Sequence, residues 1–280
     1  FTTGTVWTLI SLGLQHIEYD DGYEQGIDRP DFFGDVRTRK ALAYCVDRQG
    51  IVDTITYGRT RVMDSYVPVE HPLYNPDVDR YEFDVAVGIK LLEEVGWIDD
   101  DGDPDTPRVA QGVSGVPNGT ALEVSLGAVP VPVVEMFVDI IQESLGECGI
   151  QVNAQYYPRT EFFADGPEGD LFGRNFDLAG LAWITGVFPP CDLYLSDFTP
   201  GPAGDKWISI LDGNERSFGI SGWGGQNNSG FADADYDAAC MTALSSLPGQ
   251  PEYETAHKEA QYIFADQLPV IPVYQGIKLA

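Results

Sequence analysis

The sequence predicts an α/β fold organised as two lobes, and three observations carry that reading. Residues 176–190, FDLAGLAWITGVFPP, form an apolar run with one acid, Asp177, near its start and Trp183 near its end. Such a run, bounded by turn residues, fits a strand buried on both faces, and Gly186 with Pro189-Pro190 ends it because proline cannot continue a central ladder. Residues 121–156 alternate, then take on helical spacing, then alternate again, which is a βαβ unit with two parallel strands. After Pro190 the texture turns rich in Gly and Pro, as expected where the chain leaves one lobe along a cleft for another.

The first 36 residues offer one strand, 6–12, and a polar loop, 18–34. Asp35 is placed to cap a helix running to about residue 57, with Leu42, Cys45, Val46, Val52 and Ile55 on its apolar face. Arg37, Arg39, Lys40 and Arg48 fall off that face and read as a solvated basic surface. Gly58, Pro68, Pro72 and Pro76 punctuate a loop over 56–76. A second helix spans 84–95, capped by Asp84, stopped by Gly96, and buried through Val85, Ile89, Leu92 and Val95.

Residues 97–105, WIDDDGDPD, gather acids at Asp99, Asp101, Asp103 and Asp105. Oxygen-rich loops can hold Ca²⁺, but the EF-hand pattern is not met, and a solvated acidic turn fits as well. The strand at 121–126 leads to a helix over 132–147 and a strand over 150–156. A short helix at 160–164 precedes the 176–183 strand. Two amphipathic helices follow the Gly-rich segment, at 234–247 and 251–267. The last strand, 268–274, carries Pro269 and Pro272 and so belongs at a sheet edge or corner.

A chain of 280 residues with 43% hydrophobic content can bury a sizeable core. Its 44 acids against 16 bases give a net charge of −28, which argues against nucleic acid and anionic membranes as partners. It fits an extracellular surface, salt adaptation or attraction for cations. No apolar run reaches the roughly 20 residues that span a bilayer; 129–138, VPVPVVEMFV, comes nearest. The opening FTTGTVWTLISLGL lacks the charged start of a signal peptide, so the sequence reads as a mature chain or a piece of a longer one.

Cys45, Cys148, Cys191 and Cys240 match no zinc spacing. An even count suits disulfides in an exported protein; free buried thiols are the alternative, and spacing alone does not choose among the three pairings. His16, His71 and His257 stand apart and read as surface or capping residues. GVSGV (112–116) and GISGW (219–223) each miss the nucleophile elbow by their last residue, and no phosphate-cradling loop occurs. A secreted hydrolase working through paired carboxylates stays open, though nothing places two acids around a cleft.

Six segments in a fixed order carry a resemblance: FGDVRTRKALAYCVDRQGIVDTITYG, YEFDVAVGIKLLEEVGW, IIQESLGECGIQV, NFDLAGLAW, NNSGFADADYDAAC and ADQLPVIPVY. Together, over about 30–275, they resemble extracellular solute-binding proteins of the oligopeptide, dipeptide and nickel class (family 5), the receptors of ABC importers. The resemblance implies a fold of the periplasmic-binding-protein type II class, seen here as the C-terminal portion of a receptor. On that reading 1–183 is a distal α/β lobe, with 1–35 leading into it, and 184–280 crosses over to complete an otherwise missing first lobe.

The same resemblance implies no catalysis, a small solute as ligand, ABC permease subunits as partners, and a monomer at full length. It implies a place outside the cytoplasm, at the cell surface or in the periplasm, with a lipid anchor on the missing N-terminal part. Peptide-binding members carry an Asp three residues after the strand Trp; here Gly186 stands there, which weakens the case for ordinary peptides. Cys191 and Cys240 bracket the returning segment, which favours a bridge between them, and Cys45 with Cys148 at matching helix ends leaves a second bridge open. Ligand clefts are lined by aromatics with a few fixed polar groups. Trp183, Thr185, Phe188, Trp223, Asn227 and Asn228 are therefore the expected ligand-binding residues, with a hinge at 184–190. A hydrolase, or a sensory module that kept the fold and lost transport, are the alternative readings.

Overall fold

In a computed structural model, residues 2–202, 206–210, 216–220 and 222–278 are described, without the side chains of 2, 3, 206–210 and 216–220. The chain builds one five-stranded sheet with helices on both faces. β1 (Thr2–Leu12) opens it, and a short 3-10 helix at Ile17–Asp21 interrupts the expected polar loop. His16 caps that helix, its Nδ1 accepting from Glu18 N.

The single helix expected over 36–57 is two, α1 (Val36–Cys45) and α2 (Arg48–Ile55). The break is local chemistry: Val46 turns extended, and the Asp47 carboxylate accepts from Gly50 N, capping a new start. α3 (Val85–Val95) begins at Asp84 and ends at Gly96, whose φ of 114° suits a residue without Cβ. A small antiparallel pair follows, β2 (Trp97–Ile98) with β3 (Val109–Ala110). β4 (Glu123–Ala128), α4 (Pro132–Gly146) and β5 (Gln151–Tyr156) form the expected parallel βαβ unit. α5 (Arg159–Phe162) then leads to β6 (Leu178–Ile184).

Beyond β6 come two 3-10 turns, Cys191–Tyr194 and Ser196–Phe198. A hairpin follows, β7 (Lys206–Ile210) with β8 (Arg216–Ile220), two short strands that the Gly-rich texture concealed. α6 (Ala234–Ser245), α7 (Pro251–Gln267) and β9 (Val270–Lys278) close the described chain. No described helix is long and apolar enough to cross a membrane.

The strand order is β5-β4-β6-β1-β9. β6 is interior, as its unbroken apolar run demands, parallel to β4 and antiparallel to β1. β9 lies on the outer edge beside β1, with Pro272 opposite Leu9 at a register shift, so proline costs no interior ladder bond. Residues from both sides of position 183 thus share one sheet.

One core lies between the sheet and α1 to α4, through Ile10, Leu12, Leu42, Leu92, Leu126, Phe137, Ile141 and Val273. The other lies between the sheet and α6, α7 and the Cys191–Tyr194 turn, through Trp7, Leu9, Leu181, Tyr194, Tyr236 and Phe264. Each core holds one disulfide. Cys45–Cys148 ties α1 to the end of α4 and passes over Gly88 of α3, where any Cβ would strike Cys45 Sγ. Cys191–Cys240 ties the turn after β6 to α6.

The basic face expected on the first helix is corrected in part. Arg37 and Lys40 do pair with acids, Asp35 and Asp266. Arg39 and Arg48 are buried, at 6% and 5% exposure, and reach backbone carbonyls far along the chain. Arg39 donates to Gln267 O at 2.7 Å and Phe33 O at 2.7 Å; Arg48 donates to Met63 O at 2.9 Å, Pro272 O at 3.0 Å and Tyr81 O. Burial pulls both guanidiniums down to about 10 without neutralising them at physiological pH. They are cross-braces between the helical layer and the C-terminal segment.

Candidate functional site

A depression opens at the carboxyl ends of β4 and β6. The chain leaves β4 toward the α4 face, since Phe137, Val138 and Ile141 join the first core. It leaves β6 toward the opposite face, since Cys191, Leu193 and Tyr194 join the second. In open α/β sheets, a ligand crevice lies where successive crossovers part in this way. A cavity of about 480 Å³ lies there, within the roughly 300–1,000 Å³ typical of small-molecule sites. Val129, Val131, Val133 and Val134 at the head of α4 form one wall, and Phe137 with Gly180 and Ala182 the floor. Thr8 and Tyr274 stand on the sheet side, Arg159 and Phe163 at the other rim.

Small residues on β6 create the space. A Cβ on Gly180 would come within 3.0 Å of Phe137 Cε1, so the glycine lets the phenyl ring pack down on the strand. The Arg159 guanidinium carbon lies 5.8 Å from the centre of the Phe163 ring, a cation–π contact.

None of the six expected ligand-binding residues lines this cavity. Trp183 follows Ala182 on β6 but packs against the second core; its ring centre is 6.5 Å from that of Phe172, in edge-on geometry. Trp223, in the 3-10 turn Gly222–Gly224, packs where a Cβ on Gly166 would otherwise sit, on the same loop as Phe172. The 166–172 loop therefore lies between the two tryptophans. Thr185 is buried, its N–H donating to Thr5 O at 2.7 Å. Val187 and Phe188 beyond it are 82% and 64% exposed, with His71 Nε2 3.0 Å from Val187 O.

Both polar atoms of Asn227 and the Oδ1 of Asn228 are engaged within the fold. Asn227 Nδ2 donates to Leu195 O and Phe231 O, and its Oδ1 accepts from Ser229 Oγ and Phe231 N. Asn228 Oδ1 accepts from Ser11 Oγ at 2.6 Å, fastening the loop to the end of β1. Asp177, the lone acid of the β6 run, serves in the same way. It pairs with Arg29 and accepts from Ser125 N and Ser125 Oγ at 2.7 Å, locking β4 and β6 in register below the cavity.

The acids at 99–105 cap their own turns. Asp99 accepts from Gly102 N, Asp101 from Asp103 N and Thr106 Oγ1, and Asp103 from Asp105 N. Among the described residues no three His, Cys, Asp or Glu side chains gather as metal ligands. His257 departs from the surface reading: it is 1% exposed on α7, with a ring contact to Tyr253 at 4.7 Å.

The valine wall left one trace in the sequence, the apolar stretch at 129–138. The floor left another, the pairing of Gly180 and Ala182 at alternate positions of a strand, which leaves open space on one face. Arg159 left none.

Comparison with known proteins bears on this arrangement. The sequence signature of bacterial extracellular solute-binding proteins, family 5 Middle, matches residues 12–205. The chain belongs to this family. The family 5 chain is 23% identical over 246 residues to a dipeptide-binding protein of Pseudomonas aeruginosa, covering 86% of this chain and 37% of that one. It is also 23% identical over 253 residues to heme-binding protein A of Haemophilus influenzae, covering 89% and 38%. It therefore spans well under half the length of these curated relatives.

Among solved structures, the oligopeptide-binding protein of Thermus thermophilus, in complex with a pentapeptide, superposes with a TM-score of 0.74 at 23% identity. That match covers 98% of this chain and 42% of the other. NikA of Brucella suis, in complex with Fe(III)-EDTA, gives 0.69 at 17%, covering 98% and 46%. The family 5 chain thus has the mixed α/β fold of the periplasmic-binding-protein type II class, over part of such a receptor.

Proposed function

We propose that this chain belongs to the extracellular substrate-binding component of an ABC importer. It takes up a small solute at the carboxyl edge of its sheet and presents it to a membrane permease. The observation that carries the reading is the cavity between the ends of β4 and β6, apolar and built from small or β-branched residues, at the switch point of the sheet. Family membership supports a binding role over a catalytic one. The two disulfides suit an oxidising compartment outside the cytoplasm. The exposed Ile184, Val187 and Phe188 directly after β6 suit a crossover that meets further protein or ligand when the cleft closes.

Screening solutes by thermal stabilisation, with mass spectrometry of the recovered solute, tests this. A ligand at a hundredfold excess over its Kd should stabilise the protein by about 2.7 kcal/mol and be recovered unchanged. Recovery of a cleaved or modified solute would assign the fold to an enzyme instead.

A further inference from the structure

The cavity has a chemical polarity that narrows its ligand. Its walls are valines, Phe137, Leu181, Gly180 and Ala182, and Thr8 and Tyr274 add hydroxyls at one side. The lining contains a single ionisable group of fixed charge, the guanidinium of Arg159, and no carboxylate. The chain as a whole carries 44 acids and 16 bases, so a lining with one base and no acid runs against its composition. Most of the other described bases are tied to an acid, as Arg29 is to Asp177, Arg61 to Glu70, Arg80 to Asp64 and Arg174 to Asp20. Arg159 pairs with no carboxylate among the described residues. It is held over the Phe163 ring at the cavity rim, a contact that leaves its donor edge open.

Resting on the receptor reading above, we infer that the cavity takes an amphiphilic monoanion. Such a solute has an apolar body lying among the valines and one carboxylate reaching Arg159. An ammonium in the same place would be stripped of water against valine side chains with no counter-charge in the lining. A carboxylate would meet a planar donor fork suited to it. The net charge of −28 opposes an anion only weakly at the cavity, because exposed charges more than about 10 Å away are screened at 0.1 M salt. At the cavity the nearest charge decides.

Three compounds with one apolar body separate the alternatives: 4-phenylbutyrate, 4-phenylbutanamide and 4-phenylbutylamine, each titrated calorimetrically into the protein as it occurs in the cell. The carboxylate should bind roughly two- to fivefold more tightly than the amide, as expected for one exposed ion pair, and the amine most weakly. The preference should shrink in 1 M salt. Arg159→Gln should bring carboxylate and amide to equal affinity while leaving amide binding unchanged, a readout that separates lost charge from lost fold. Arg159→Lys should keep part of the preference.

Amine binding equal to or tighter than that of the carboxylate would overturn the inference, as would a carboxylate preference that survives Arg159→Gln. Binding of zwitterionic leucyl-leucine but of none of the three would overturn it too, while leaving the receptor reading intact. If no solute of any class stabilised the protein, the receptor reading itself would fail.

Discussion

Arg48 at the start of α2 donates a 3.0 Å hydrogen bond to the carbonyl of Pro272, a residue 224 positions later on the edge strand β9. The same guanidinium serves Met63 O and Tyr81 O, so one buried cation fastens three separate segments around the end of the sheet. Replacing it should be costly because the acceptors are buried and have no water to turn to. Arg48→Met is expected to lower unfolding stability by about 3–5 kcal/mol, measured by urea denaturation. Arg48→Lys should recover only a fraction, since an ammonium cannot span three acceptors in the fork geometry. A loss under about 1 kcal/mol for Arg48→Met would show that the bonds contribute little.

The disulfides should matter through the loops they close. Cys191–Cys240 links residues 49 apart and Cys45–Cys148 residues 103 apart. Chain entropy assigns each about 4–5 kcal/mol, the longer loop slightly more. Reduction should therefore lower Tm by many degrees, and the Cys45→Ala/Cys148→Ala pair should cost at least as much as Cys191→Ala/Cys240→Ala. The reverse order, read by calorimetry, would point to strain or residual structure in the unfolded chain instead.

His257 gives the fold a pH dependence with a definite sign. Burial lowers its pKa from 6.5 to about 4, with the charge of His71 adding to the effect. Between those values the unfolded chain binds a proton that the folded chain refuses, so stability falls as pH drops from 6.5 toward 4. The full effect is up to about 3 kcal/mol. Asp170 acts in the opposite sense over part of this range, since burial raises it to about 6 and its protonation favours the folded state. The comparison is therefore between proteins: His257→Leu should lose less stability than the wild type between about pH 7 and pH 4.5. Parallel stability curves for the two would remove His257 as the cause.

What the sequence shows and what it hides divide along physical lines. β6, α3, α4 and α7 were legible because periodicity, Asp84, Gly96, Pro132 and Pro251 act within a few residues of one another. The resemblance favours the Cys191–Cys240 bridge and leaves Cys45–Cys148 open, and cysteine spacing decides neither; the fold forms both. The break at Val46–Asp47 was hidden because apolar spacing continues across it, and only the Asp47 side chain marks the new helix. Arg39 and Arg48 were misjudged because their acceptors, Gln267 and Pro272, lie more than two hundred residues away. Asn227 and Asn228 have the polarity of ligand-binding groups, yet Leu195, Phe231 and Ser11 use that polarity first. The cavity is defined by absent side chains on β6 next to a wall from α4, a juxtaposition that exists only once the sheet has formed.

Gly180 offers the sharpest separation of binding from folding. Its Cα faces Phe137, and an added Cβ would sit 3.0 Å from that ring, a tight contact the phenyl can relieve by swinging a few tenths of an ångström into the cavity. The backbone there needs no left-handed φ, so alanine fits the strand itself and even gains on glycine in unfolded-state entropy. Gly180→Ala should therefore change stability by less than about 1 kcal/mol while cutting affinity for any cavity-bound solute by roughly tenfold, because lost volume is felt directly in a close-packed wall. Isothermal titration beside thermal unfolding reads both quantities on one protein. Unchanged affinity with unchanged stability would place the solute elsewhere, and the exposed segment beyond Trp183, with Val187 and Phe188, would become the surface to examine.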